Sequence, residues 1–123
     1  MIDKKEIRRQ YKQTIQPMGV YRITNMTNGK IFIGSSKNLT GTFNSLRFQL
    51  ELGSYRNKEL QADFTAFGKE KFLFNVVDYL EPKEDPSYNY TKDLEVLEEM
   101  WVEKLKPFGD KGYNNNNNVH NPL

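Results

Sequence analysis

Two short β-forming segments joined by an Asn-Gly pair constrain this chain most: GVYRITN from Gly19 and KIFIGSS from Lys30, with MTNG between them. Asn-Gly readily takes the positive φ angles of a tight hairpin turn, and the flanking residues are mostly β-branched or aromatic. The pattern predicts antiparallel strands near 19–24 and 30–34, followed by a Gly-Ser-Ser turn. In the second strand Ile31 and Ile33 point one way, and Phe32 points the other way, with Gly34.

The segments that follow supply helices to cover such a hairpin. Leu39, Phe43, Leu46 and Leu50 recur at helical spacing, and Gly53 closes that helix. Leu60, Phe64 and Phe67 predict a second helix near 57–67, ended by Gly68. KFLFNVVDYL reads as a third strand, and its unbroken apolar run predicts burial on both faces. A loop with two prolines leads to KDLEVLEEMWVEKLK at 92–106, the clearest helix in the chain, with Thr91 as its expected N-cap and Pro107 as its stop. The order ββααβα predicts an α+β fold, a small three-stranded sheet flanked by helices.

Three regions divide the 123 residues. A basic lead-in covers 1–17, where Ile2, Ile7, Tyr11 and Ile15 suggest a short helix, a folded domain covers 18–114, and an Asn-rich polar tail covers 115–123. The net charge is only +2 but uneven: residues 1–60 hold 11 Lys/Arg against 4 Asp/Glu, and residues 61–123 hold 7 against 12. A positive half suits a phosphate backbone or an acidic protein, though folding can also mix the halves into an ordinary surface. No apolar run is long enough to cross a membrane. The N-terminus is charged at once, unlike a secretory signal, and there is no cysteine for disulfides or thiolate metal sites. These features favour the cytoplasm, that of a host cell if the gene is phage-borne.

Few residues stand out as chemistry. On the last helix Glu98 falls about 40° from Leu94, inside the stripe of Leu94, Leu97, Trp101 and Leu105. A carboxylate aimed at the core needs a metal, a cation or hydroxyl donors. A structural salt bridge is the plainer alternative. Tyr21 is a second candidate, although a strand tyrosine is most often a packing residue. His120, the only histidine, lies in the tail, and the chain has no Ser-His-Asp or Cys-His set and no P-loop.

Together these pieces resemble the GIY-YIG nuclease domain. Gly19-Val20-Tyr21 stands at its opening motif and Phe32-Ile33-Gly34 at its second motif. Ser35-Ser36 and Lys37-Asn38-Leu39 follow, Glu98 precedes Trp101 by three residues, and Gly112-Tyr113-Asn114 closes the stretch. The resemblance implies metal-assisted hydrolysis of DNA phosphodiesters. It makes Glu98 the ligand of a Mg²⁺ ion, Tyr21 the first tyrosine and Asn114 a supporting residue.

The resemblance breaks at two positions. Phe32 stands where the second tyrosine belongs, and Thr42 where the family has an arginine. Leu46 stands where a histidine is often found. A positioned cation stabilises the charge of a phosphoryl-transfer transition state, and threonine cannot. Arg47 lies about 140° around the helix from Thr42, so it should point elsewhere. A substitute arginine would have to come from another element, such as Arg22. The expectation is therefore a catalytically inactive pseudo-nuclease that needs no cofactor. It would bind nucleic acid through Lys4, Lys5, Arg8, Arg9, Lys12 and Arg22, or a protein of a DNA-processing or defence system, as an inhibitor. The alternative is a divergent metal-dependent DNA endonuclease with a substituted cation.

Overall fold

The computed structural model describes residues 16–115. The lead-in helix suggested for 1–17 and the tail at 115–123 fall almost wholly outside them. So do Lys4, Lys5, Arg8, Arg9 and Lys12.

The hairpin forms as β1 (Gly19–Asn25) and β2 (Ile31–Ser36). Helices α1 (Leu39–Leu52) and α2 (Lys58–Phe67) follow, then β3 (Phe72–Tyr79) and α3 (Thr91–Leu105). The sheet is antiparallel with order β2-β1-β3. This is the predicted ββααβα, α+β arrangement.

Each face of the sheet has its own core. Tyr21 and Ile23 pack with Leu39, Leu46 and Leu50 of α1, and with Leu60 and Phe64 of α2. Val20 and Ile33 pack on the other face against Val102, with Leu97, Trp101 and Leu105 of α3 around them. Trp101 also donates its indole N–H to Asp78 of β3 at 3.0 Å. The strand alternation around Ile31, Phe32 and Ile33 is as predicted.

The helix ends follow from local chemistry. Asn38 caps α1 by accepting the Gly41 N–H at 3.0 Å, and Asn57 caps α2 by accepting the Leu60 N–H at 3.1 Å. Gly53 ends α1 in the left-handed region, at φ 78°.

Three expectations need correction. The strand buried on both faces is β1, not the third strand. β3 pairs with β1 alone, and Leu73 and Tyr79 are exposed along it. Being central counts for more than an unbroken apolar run, and Arg22 and Thr24 disguise β1 in the sequence. Gly34-Ser35-Ser36 is not a turn but the end of β2, because β1 continues opposite it and pairs Gly19 with Ser36. Thr91 does not cap α3. Tyr90 holds that position without a side-chain bond, and Asn89 accepts the Thr91 N–H at 2.9 Å.

Candidate active site

The cleft of interest runs along the free edge of β2. On one side stands the first half of α3, and on the other the loop between α1 and α2. The cleft has a volume of about 1120 Å³. Tyr21, Phe32, Glu98 and Asn114 all line it. Thr42 does not.

Each of these side chains is held by identifiable contacts. Ser35 faces α3 and donates its hydroxyl to Glu98 Oε1 at 2.7 Å. Burial pushes the Glu98 carboxyl above the usual carboxylate range, the Ser35 hydrogen bond pulls it back, and Glu99 and Glu95 add a further push upward. Tyr21 lies across Gly34, and any Cβ there would sit well inside contact distance of its phenol. The glycine therefore leaves room for the hydroxyl at the strand edge. Burial is the main reason that the Tyr21 phenol is raised far above its ordinary value, with Tyr55 and Glu98 adding to it.

Asn114 acts as a piece of extra strand. It accepts the Ile33 N–H and donates to the Ile33 carbonyl, both at 2.9 Å. A free strand edge leaves such groups open, and one amide side chain satisfies both here. Tyr113 fixes the same segment: its hydroxyl donates to Asp63 at 2.7 Å and accepts from the buried Asn25 at 3.0 Å.

The α1 side is arranged differently. Ser36, on the opposite face of β2 from Ser35, shares a hydrogen bond with Thr42. Arg47 lies against Phe74 of β3, its guanidinium carbon 4.5 Å from the ring centroid, on the exposed side of α1. Arg22 is half-buried on β1 between Ile33 and Asn75, outside the cleft lining, and its Nε is buried without a hydrogen-bond partner.

Sequence reasoning missed Tyr55 and Arg56. Both line the cleft, and the Phe32 ring sits between those of Tyr21 and Tyr55, at 6.4 and 6.3 Å between centroids. Lys58 and Lys92 add positive charge, and Glu95 and Glu99 add negative charge, around the same opening. Only the Ser-Tyr-Arg-Asn sequence after Gly53, polar and just past a helix end, hinted at a functional loop.

Among the described residues no three His, Cys, Asp or Glu side chains form a ready metal cluster. One carboxylate lining an open cleft nevertheless fits Mg²⁺, which keeps several waters and takes one or two carboxylates with phosphate oxygens. Glu98 would be the ligand, and the ion would supply Lewis-acid polarisation of a phosphate.

The site thus gathers a carboxylate, a tyrosine and an amide at one strand edge of a three-stranded antiparallel sheet that lies between one helix and a helix pair. The GIY-YIG catalytic domain family model matches residues 17–114, and the chain belongs to this family. Two structures of one protein are similar to it. The catalytic domain of intron endonuclease I-TevI, in a glutamate-to-alanine mutant form, aligns at 25% identity and TM-score 0.66, over 80% of this chain and 93% of that one. The catalytic domain of homing endonuclease I-TevI aligns at 25% identity and TM-score 0.64, over 79% and 96%. No curated protein matches. No helix among the described residues is long and apolar enough to cross a membrane.

Proposed function

We propose that this chain binds a nucleic-acid strand in the β2-edge cleft, with a divalent cation on Glu98, and that the family's usual pairing of a helix arginine with a second tyrosine has lapsed in it. The carrying observation is the convergence of Glu98, Tyr21 and Asn114 with Arg56, Lys58 and Lys92 in one cleft. A carboxylate and cations side by side would suit a metal ion and the phosphates of a nucleic acid. The endonuclease named for the similar structures adds weight to nucleic acid as partner. The support for a binding-only inhibitor of a DNA-processing or defence system is the pair of substitutions at Phe32 and Thr42. Basic residues of the lead-in, Arg8 and Arg9 among them, would extend the phosphate contacts.

Binding of a short DNA duplex, followed across salt concentration in Ca²⁺, tests this. Affinity should fall steeply with salt, and Arg8→Ala with Arg9→Ala should reduce the log–log slope by about 2. Binding that ignores salt, or no binding at low salt, would turn the reading toward a protein partner.

A further inference from the structure

The loop between α1 and α2 carries what Phe32 and Thr42 lack. We propose that Arg56 and Tyr55 are catalytic residues that replace the missing arginine and tyrosine, so that this chain cleaves phosphodiesters from a relocated site. The inference rests on the reading of the cleft as a phosphodiester site, and goes beyond it by assigning cleavage.

Placement is the first support. A tyrosine at position 32 would carry its hydroxyl out from a ring that packs edge-on against Tyr55. Tyr55 carries a hydroxyl on the neighbouring ring, in the same cleft. Arg56 brings the cleft the guanidinium that Thr42 cannot provide, while Arg47 is occupied on Phe74.

Anchoring is the second support, because a catalytic cation must be positioned. The loop is only five residues long, 53–57, and is tied on both sides. Gln61 accepts the Tyr55 N–H at 2.9 Å and donates to the Leu50 carbonyl at 3.0 Å. Asn57 donates to the Tyr113 carbonyl at 2.8 Å. Tyr113 is next to Asn114, so the segment that braces β2 also braces the loop. Arg56 therefore projects from a backbone fixed on either side of it.

The chemistry is consistent with the placement. Burial raises the Tyr55 phenol above its usual value, and Arg56 beside it draws it partly back. The phenol stays protonated near neutral pH and is a hydrogen-bond donor there. In hydrolysis a water oxygen bonds to phosphorus and one ester P–O bond breaks. One hydrogen of the water ends on the leaving hydroxyl, and the other is released to solvent. Negative charge builds on the non-bridging oxygens as this happens. Arg56 neutralises it, and the Tyr55 hydroxyl donates to one of those oxygens.

The test pairs nicking of supercoiled plasmid in Mg²⁺ or Mn²⁺ with binding of a short duplex in Ca²⁺. The parent protein should do both. Arg56→Ala should lower the nicking rate by about 100-fold or more, with a much smaller loss of duplex binding. Arg56→Lys should recover part of the rate, and Tyr55→Phe, which removes one hydrogen-bond donor, should cost about 10-fold. Arg47→Ala, outside the cleft, should change neither. A parent that binds duplex but never nicks overturns the proposal and leaves the binding reading standing. Nicking by Arg56→Ala at the parent rate overturns it as well. A parent that fails to bind duplex at low salt removes the underlying reading and the proposal together.

Discussion

Ser35 and Ser36 are neighbours on β2, yet they face opposite sides of the sheet. Ser35 faces α3 and holds the carboxylate of Glu98, while Ser36 faces α1 and holds the hydroxyl of Thr42. The α3 half keeps a group whose charge a metal can use. The α1 half has the same kind of hydrogen bond and ends in a neutral side chain. The two hydrogen bonds are alike in kind and differ in the charge of the group they hold. What matters at a phosphate is the formal charge delivered to the cleft, and on this side Arg56 of the loop after α1 lines it.

The largest effect should come from the α3 half. Glu98→Ala should bring metal-dependent nicking below detection and abolish divalent-ion binding measured by calorimetry, with the fold intact by circular dichroism. Unchanged ion binding would show that the carboxylate is not the ligand and that the two halves do not differ as argued.

The two serines test the contrast directly. Ser35→Ala removes the hydrogen bond that holds the Glu98 carboxyl down, so burial should push it higher. Divalent-ion affinity at neutral pH should then fall by about 10-fold, and more at acid pH. Ser36→Ala should stay within about twofold of the parent in the same titration, because Thr42 brings no charge to the cleft. Equal effects from both would erase the distinction.

The smallest expected effect lies in the brace shared by both sides. Burial and the Asp63 carboxylate push the Tyr113 phenol up to about 12, against the Asn25 hydrogen bond that pulls it down. The folded state thus holds this proton more tightly than the unfolded chain does. Its contribution to stability is complete below the ordinary tyrosine value near 10 and is lost as pH rises through about 12. Tyr113→Phe should cost about 1 kcal/mol at pH 7 in urea unfolding, and the gap from the parent should shrink between those two pH values. A gap that stays constant would mean that Tyr113 does not titrate as described.

Much of this was legible in the chain itself. The Asn-Gly pair marked the hairpin, and Gly29 closes its turn at φ 80°, where few residues other than glycine are unstrained. The stripe of Leu94, Leu97, Trp101 and Leu105 fixed α3 and singled out Glu98, since helical geometry needs only local spacing. The same geometry turned Arg47 away from Thr42. Tertiary structure decided the rest. β1 became the central strand because two partners flank it, which no run of apolar letters records. Gly34-Ser35-Ser36 became strand because β1 continues opposite it. Arg56 came into the cleft because Gln61 of α2 accepts the Tyr55 N–H, and Asn57 at the end of the loop donates to Tyr113, 56 residues later in the sequence. Local sequence carries helix phase and turn chemistry. The position of a loop depends on hydrogen bonds between distant segments, and those exist only once the chain has folded.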